Sequence, residues 1–332
     1  MATTVTKIID PDNGSGTDYT SLSAWEAAQQ GDLTGVRDEI AVAKCRCTGG
    51  TADTTAVTID GWTTSATQYI KIWTDPSESY RHSGKWETGN KYRIYTDGLN
   101  TLITVREEYV RFEGLQLYST GDYPAGRFFD IDGTDTADIR INGNIIVNGT
   151  GGYKAIAIRC YNLKSYIKIW NNVIEGMLEG IDLNLYDGTD TICFYNNTVI
   201  SNDTGIKLLY GTVIAKNNIF NGCTTDIDDG SGGTTLSATY CATSNDNTKG
   251  LPAAGTGNRF SQTFSFVGAA DFHLQSTDTG AKGYGLNLYN DAYLPFKDDI
   301  DGQDRGGSGA SWDIGADEYV AAGNPYYAYA QQ

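Results

Sequence analysis

The sequence predicts a single right-handed parallel β-helix, and two repeating series of residues carry this prediction. In the first series an Asn stands at a turn between apolar alternations, at Asn144, Asn172, Asn197 and Asn218. The second series lies between these turns and consists of Ile156, Ile181, Ile206 and Ile227. The spacings are 28, 25 and 21 residues for Asn and 25, 25 and 21 for Ile, so both series keep one register. Such a period describes one coil, and coils stack about 4.8 Å apart to share a core.

The composition agrees with an elongated all-β molecule. A chain of 332 residues exceeds the usual domain of about 100–200 residues, but a solenoid grows along one axis. The sequence contains 40 Gly and 22 Tyr but only 6 Pro, which is typical of short strands and tight turns. The net charge of −17, with no cluster of Lys and Arg evident, predicts that nucleic acid is not a partner. No run approaches the ~20 apolar residues of a membrane span, so no membrane partner is expected.

Three regions follow from where the repeats begin and end. Residues 1–55 are predicted to form an N-terminal cap, whose helix LSAWEAAQQ begins with a capping box at Ser23 and Glu26 and stops at Gly31. Residues 56–250 are predicted to form roughly six to nine coils. Residues 251–332 lose the period, so we expect them to cover the last coil and to end in a Tyr-rich tail that packs against a partner.

Several conspicuous residues are predicted to be structural. The Asn series suits turns, because Asn tolerates left-handed backbone and stacked amides hydrogen-bond along the axis. The six cysteines have no zinc-site spacing and are expected to be buried or free thiols. His82 and His273 lie far apart, and no catalytic or metal constellation is evident around either. Asp299-x-Asp301-Gly302-x-Asp304 resembles a calcium loop only superficially, because the Gly position is wrong for an EF-hand. We therefore predict no metal site and no cofactor, with calcium left open.

The candidate site is a polar patch on the outer face of the strands that carry the Ile series. Its members are Asp130, Asp132, Arg159, Tyr161, Asp182, Asn184 and Tyr186. Tyr rings stack on sugar rings, while Asp, Asn and Arg bind hydroxyl groups, so the patch suits a glycan. In a hydrolase, Asp132 and Asp182 would flank the glycosidic bond. In a lyase, Arg159 or a lysine would be the base, with Asp-bound calcium. The alternative is a solvated sheet face on which opposite charges pair between coils.

The two ends of the chain carry a family resemblance. The opening DYTSLSAWEAA and the ending DFHLQSTDTGAKGYG with DIDGQDRGGSGASWDIGADEY resemble caps of the pectate-lyase-like right-handed β-helix superfamily. That superfamily includes polysaccharide lyases, glycoside hydrolases and phage tailspikes. The resemblance implies the scaffold and leaves the substrate unnamed, because one fold serves many functions.

Two main functional hypotheses remain. The first is a phage virion structural protein, a head decoration, fibre or tailspike-like component that binds a cell-surface polysaccharide. It rests on an acidic surface, no visible signal peptide and no convincing catalytic constellation. This hypothesis places the chain in the virion after synthesis in the host cytoplasm. The expected partners are other virion subunits or further copies of the chain itself, in a homo-oligomer such as a trimer. The alternative is an extracellular polysaccharide lyase or glycoside hydrolase of the same fold. A third hypothesis is a bacterial adhesin.

Overall fold

The computed structural model describes residues 1–97, 101–120, 126–132, 138–149, 155–161, 166–184, 191–230, 234–253 and 257–321. These residues form a parallel β-helix with three long sheets, one α-helix and an antiparallel hairpin near the C-terminus. From Ile70 onward the chain visits sheets 1, 2 and 3 in turn, and strands inside each sheet pair with the strand one coil earlier and the strand one coil later. The predicted fold class, a single parallel β-helix, is confirmed.

Sheet 1 is the longest of the three. In spatial order it contains β1 (Thr3–Ile9), β2 (Glu39–Cys45), β4 (Ile70–Trp73), β7 (Val110–Glu113), β10 (Asp138–Asn142), β13 (Tyr166–Trp170), β16 (Thr191–Tyr195), the second half of β18 (Thr204–Lys216) and β21 (Thr234–Thr239). Its parallel pairing starts at β1, so the first strands of the helix lie within residues 1–55.

Sheets 2 and 3 complete each coil. Sheet 2 contains β5 (Ile94–Thr96), β8 (Gln116–Ser119), β11 (Ile145–Asn148), β14 (Val173–Glu175), β17 (Thr198–Ile200), β19 (Ile219–Asn221) and β22 (Ala242–Thr243). Sheet 3 contains β3 (Val57–Ile59), β6 (Ile103–Val105), β9 (Gly126–Asp132), β12 (Ala155–Tyr161), β15 (Glu179–Asn184), the first half of β18 and β20 (Thr225–Asp228). Strand β18 passes from sheet 3 into sheet 1 without a loop, bending at Gly211, which has a φ of 98°.

The core is built from residues that alternate along each strand. In sheet 1 the inward positions are apolar and almost completely buried, as in Ile70, Ile72, Val110, Phe112, Ile139, Ile141, Ile167 and Ile169. These side chains belong to one continuous cluster that runs the length of the helix. Because inward and outward positions alternate with a period of two, the residues between them face away from the core.

The Asn series forms a hydrogen-bonded ladder inside the turns between sheets 1 and 2. The Oδ1 of Asn172 accepts bonds from the backbone N–H and the Nδ2 of Asn144, both at 2.9 Å. Asn197 and Asn218 repeat the arrangement in the next coils, and all four side chains are fully buried. Cys241 takes the next position, with its Sγ 3.5 Å from the N of Asn218. The predicted ladder is confirmed.

The left-handed backbone, however, belongs to the residue before each ladder Asn. Asn171, Asn196 and Asn217 have φ values of 55°, 49° and 55°, and Gly143 has 61°. The prediction gave both tasks to one residue. The structure divides them between two adjacent residues because the ladder side chain must point inward, whereas the turn residue points outward.

The single described helix, α1 (Leu22–Gln29), begins at the first residue of the predicted segment, but its N-cap lies two residues before the predicted Ser23. Ser21 is the N-cap, and its side chain accepts a bond from the backbone N–H of Ala24 at 3.1 Å. Glu26 instead turns away from the cap and accepts bonds at 3.2 Å from the N–H of Asp60 and from Nε1 of Trp62. The predicted box at Ser23 and Glu26 is therefore wrong, because Glu26 serves a tertiary contact. The helix packs against β1, β2 and β3.

The C-terminal segment, defined as residues 257–321, both extends the last coil and runs back along the flank of the helix. Asn258 and Arg259 continue the last coil beside Cys241 and Ala242. Farther on, the hairpin β23 (Phe266–Gly268) and β24 (Asp271–Leu274) leads into residues that cover the outer face of sheet 2, where Ile300 packs on Ile145 and Val173. Sheet 2 can therefore be apolar on both faces. The Tyr-rich tail lies outside the described residues.

The cysteine side chains are buried and have no disulfide partners. All six are free thiols, as the sequence predicts. Burial raises the pKa of Cys193 and Cys241 to about 11, which disfavours the reactive thiolate. Among the described residues no helix is both long and apolar enough to cross a membrane.

Candidate functional site

Four cations stand in register on the outer face of sheet 1. The strands β4, β7, β10 and β13 carry the related sequences YIKIW, YVRFE, DIRIN and YIKIW, in which the second and fourth residues point into the core. The central residues are paired across neighbouring strands in the order Lys71, Arg111, Arg140 and Lys168. We call these four residues the cation row. Neighbouring members are separated by one strand spacing, about 4.8 Å.

Aromatic rings support two members of the cation row. The Arg111 guanidinium lies 3.3 Å from the ring centre of Tyr69, and the Lys71 Nζ lies 3.9 Å from that of Trp73. Lys71 also forms an ion pair with Glu113 at 2.9 Å. Burial and the neighbouring charge of Arg140 lower the pKa of Arg111. The outer face of sheet 1 therefore combines cations that are positioned by neighbouring side chains with flat aromatic rings.

Asp138 fixes the other two members of the cation row. It accepts two bonds from Arg140, at 3.0 and 2.6 Å, and one from Lys168 at 3.1 Å. Burial would raise the pKa of Asp138, but the bond and charge of Arg140 and Lys168 hold it below its usual value. The same bond raises the pKa of Arg140. Asp138 therefore holds both cations in place.

The face is positive in a strongly negative protein. The cation row and its two flanking rows on β4, β7, β10 and β13 contain four cations and two carboxylates, Glu113 and Asp138, hence a net charge of +2. The whole chain has −17. The prediction that Lys and Arg are not clustered is therefore wrong at this face, because stacking brings together residues far apart in sequence. The exact repeat of YIKIW at 69–73 and 166–170 was the available signal.

The C-terminal segment limits this face at one end. On the next strand, β16, the residue paired with Lys168 is Cys193, which is fully buried. Cys193 and the nearby Tyr195 belong to an apolar cluster with Leu288, Leu294 and Trp312 of the C-terminal segment. Trp170, beside the cation row, contacts the Phe296 ring at a centroid distance of 6.4 Å. The open, charged part of sheet 1 therefore ends where the C-terminal segment begins to cover it.

The polar patch predicted from the Ile series is brought together on sheet 3, with one error of register. Ile181 pairs with Ile158 and not with Ile156, so Asp182 stands beside Arg159 and Asn184 beside Tyr161. Asp130 and Asp132 occupy the matching positions on β9. Ile158 belongs to the core, whereas Ile156 pairs with Arg127 and Glu179, whose side chains form ion pairs with Asp130 and Lys207. A shift by two residues preserves the alternation, so the apolar pattern alone does not distinguish the two isoleucines. Tyr186 lies outside the described residues.

The charges of that patch pair between coils. Arg159 makes a two-pronged contact with Asp130 at 2.6 and 2.9 Å, and Lys207 bonds Glu179 at 2.5 Å. Burial raises the pKa of Asp182, although the charges of Lys207 and Arg159 oppose it. Asp132 and Asp182 lie two strands and two residues apart, about 12 Å by strand geometry. This arrangement favours the alternative of a sheet face stabilised by ion pairs; the site prediction stays untested.

His273 has the carboxylate neighbours that sequence spacing concealed. Its Nδ1 bonds Asp271, and its Nε2 lies 3.0 Å from Oδ2 of Asp301. Asp317 lies close enough that one atom from each of His273, Asp301 and Asp317 falls within 4.8 Å of the others. The prediction that no constellation surrounds His273 is therefore wrong, because Asp301 and Asp317 are 28 and 44 residues away and meet it only after the C-terminal segment folds.

The electrostatics of this group are strong. Burial lowers the pKa of His273, but the bond and charge of Asp301 outweigh it and raise that pKa to about 10. Burial raises the pKa of Asp317 to about 7. His82, in contrast, is buried against the carbonyl of Gly143 at 2.8 Å, and burial together with the charge of Arg81 lowers its pKa to about 3. Its Nδ1 lies 3.1 Å from the backbone N of Gly84, so both ring nitrogens of His82 are used in contacts with the backbone.

Comparisons with known proteins add only a distant similarity. No family model and no curated protein matches the sequence. Among solved structures, pectate lyase Pel9A aligns with a TM-score of 0.44 and 14% sequence identity, over 96% of this chain and 97% of that chain. At this level of similarity we infer nothing about activity from that enzyme.

Proposed function

We propose that the chain binds an acidic polysaccharide along the cation row of sheet 1. The observation that supports this proposal is the register of Lys71, Arg111, Arg140 and Lys168 on four successive strands. A polymer lying along the helix axis would meet one cation per coil. Repeated carboxylates on such a polymer match repeated cations, and guanidinium groups bind carboxylates with two parallel bonds.

The flanking residues favour a sugar polymer over other polyanions. Tyr69, Tyr109 and Tyr166 border one side of the cation row, and Tyr166 is 46% exposed. Aromatic faces pack against the apolar faces of sugar rings. The overall charge of −17 repels a nucleic acid duplex, with one charge per about 1.7 Å of its axis, more strongly than a uronate polymer, which has one charge per sugar.

The test is binding of polygalacturonate and alginate, with dextran as the neutral comparison, measured by titration calorimetry. We expect binding of the acidic polymers only, weakening as salt increases. Arg111→Gln is expected to weaken binding about tenfold, because one desolvated ion pair is worth about 1–2 kcal/mol. Arg159→Gln on sheet 3 is the matched control and should bind as the parent does.

The two variants also separate the two candidate faces. If Arg159→Gln loses binding while Arg111→Gln retains it, the ligand lies on sheet 3 and this proposal is wrong. Cleavage, the alternative hypothesis from the sequence, would appear as absorbance of an unsaturated product or as new reducing ends. Binding without either signal supports a glycan-binding role.

The virion role is a separate proposal that rests on the sequence alone. A trimeric virion component that binds a cell-surface glycan would use a binding face that runs along the helix axis, and an acidic exterior would keep it soluble. A light-scattering mass three times the 35.9 kDa of one chain is the expected result. A monomer would contradict the trimer.

A further inference from the structure

We propose that His273, Asp301 and Asp317 form a binding site for one divalent transition metal ion of the zinc class, which fastens the C-terminal segment to the flank of the β-helix. The three residues come from β24, from the loop after Ile300 and from the end of the segment. Imidazole nitrogen together with carboxylate oxygens is the donor set of zinc and related ions, whereas calcium prefers oxygen alone.

The spacing of the donors suits coordination. His273 Nε2 and Asp301 Oδ2 are 3.0 Å apart. Two ligands at about 2.1 Å from one ion are separated by about 3.0 Å at a right angle and by about 3.4 Å at the tetrahedral angle. The distance between His273 Nε2 and Asp301 Oδ2 therefore fits two ligands of one ion, and it equally fits a hydrogen bond. The third donor, on Asp317, lies within 4.8 Å of the other two.

Unsatisfied oxygens in the same place distinguish this group from an ordinary acidic cluster. Gln303 is 8% exposed, and its Oε1 has no hydrogen-bond partner among the described residues, while its Nε2 donates to Asp301 at 3.1 Å. Oδ1 of Asp301 is likewise buried without a partner. Both residues line a cavity of about 500 Å³ that His273 and Asp317 also line. Buried oxygens without partners cost free energy, which a bound cation would remove.

Outer contacts orient the donors as metal ligands are usually oriented. The Nδ1 of His273 is bonded to Asp271, which in turn pairs with Lys85 at 3.0 Å. A carboxylate on one ring nitrogen directs the other nitrogen toward a metal ion. Asp317 is held by the backbone N–H of Leu274 at 2.7 Å, and Asp301 N–H is held by Asp299 at 2.9 Å.

Gly84 keeps the front of the site open. A Cβ at this position would collide with Nε2 of His273 and Oδ1 of Asp301, and the backbone φ of 74° also favours glycine. Gly84 lies in a loop of the coil between β4 and β5, so the proposed ion would sit where the C-terminal segment meets the helix. A bound ion would therefore stabilise that contact.

The experiment uses the full chain, stripped with a chelator and dialysed. Titration with zinc chloride by calorimetry is expected to show one saturable site, and the melting temperature should rise by several degrees on saturation. Replacing zinc with cobalt(II) should give the visible absorption bands of an ion with a nitrogen ligand. Asp271→Asn, which alters only the outer contact, should weaken zinc binding about 10–100-fold.

Asp304→Asn is the matched control, because Asp304 lies in the same loop but pairs with the exposed Lys297. It should bind zinc as the parent does, whereas Asp301→Asn should not. If Asp301→Asn fails to fold by circular dichroism, the calorimetry and cobalt spectrum of the parent decide. A folded, stripped parent without a saturable site, or equal binding by Asp301→Asn, would show that the group is an ion-pair network and overturn the proposal.

Discussion

Each turn between sheets 1 and 2 uses two adjacent polar residues, and their side chains point in opposite directions. Asn172, Asn197 and Asn218 point inward and bond one another along the axis. Asn171, Asn196 and Asn217 precede them and point outward to the C-terminal segment. Two adjacent Asn residues in each turn therefore serve two purposes: one stabilises the stacking of the coils, and the other attaches the C-terminal segment.

Removing one amide from the inner ladder should be costly. In Asn197→Ala, the backbone N–H of Asn172 loses its acceptor inside a fully buried turn, and the carbonyls of Ile169 and Tyr195 lose the Nδ2 donor. Buried groups left without partners cost about 1–3 kcal/mol each, so we expect the free energy of unfolding to fall by about 2–4 kcal/mol. Denaturant unfolding measures this loss. Asn221→Ala, at an outer position of β19, should change it by less than about 0.5 kcal/mol; equal losses would contradict the ladder's role.

Glu107 should make stability depend on pH near the N-terminal end. It is 6% exposed, accepts a bond from the N–H of Trp62 at 2.7 Å, and has its pKa raised by burial to about 7. A raised carboxyl pKa gives stability that is complete below about pH 4.5 and is lost as the pH rises through about 7.

Glu107→Gln should therefore remove a fall in stability of up to about 3 kcal/mol between pH 4.5 and 8. Urea unfolding across this range gives the slope for parent and variant. Asp246→Asn is the control, because hydrogen bonds from Thr248 lower the pKa of Asp246 and place its titration below the window. Identical slopes for the parent and Glu107→Gln would contradict the assignment.

At the scale of elements, the C-terminal segment is held by side chains of the turns. Asn217 accepts a bond from the N–H of Leu286 and donates to its carbonyl, both at 2.8 Å. The buried Arg305 donates to the carbonyls of Gly315 and Ala316 at 3.0 and 2.6 Å and to Oδ1 of Asn171 at 3.3 Å. Arg305, Gly315 and Ala316 lie within the segment, so Arg305 braces the segment internally while Asn171 and Asn217 attach it to the turns of the helix.

Asn217→Gly should loosen one of these attachments without straining the turn, because glycine accepts the φ of 55°. We expect faster proteolysis within residues 286–312, followed by mass spectrometry of the fragments. Asn13→Gly, at another left-handed position with a φ of 54°, controls for the backbone effect. Unchanged cleavage in Asn217→Gly would mean that the other contacts hold the segment alone.

The strands were predictable as elements because alternation and turn residues repeat in every coil. The N-cap of α1 was assigned to Ser23 and not to Ser21, because both residues of the sequence SLS suit an N-cap. The course of the C-terminal segment was not predictable, because its contacts depend on outward turn residues, such as Asn171 and Asn217, whose partners lie 69 to 134 residues away.

For the whole molecule, the sequence predicted the solenoid but not which face is chemically distinct. Apolar alternation shows which residues point inward and which point outward. It does not show which of the three outward faces binds a ligand. Asp130, Arg159 and Asp182 drew attention as a mixture of charges, and the structure shows Arg159 and Asp130 paired. Lys71 and Lys168 lie 97 residues apart, so the repeat of YIKIW places them on one face only when the coils between them are counted correctly.

The loopless passage of β18 from sheet 3 to sheet 1 shows where this scaffold accepts changes in length. In earlier coils the sheet 3 strands β9, β12 and β15 end at Asp132, Tyr161 and Asn184, and the next sheet 1 strands begin five to seven residues later, whereas Tyr210 and Gly211 connect the two sheets directly within β18. The ladder spacing falls from 25 to 21 residues at this coil, yet the pairing of the strands is preserved. This corner can therefore gain or lose residues without altering either neighbouring sheet, which makes it the natural point for grafting a foreign peptide.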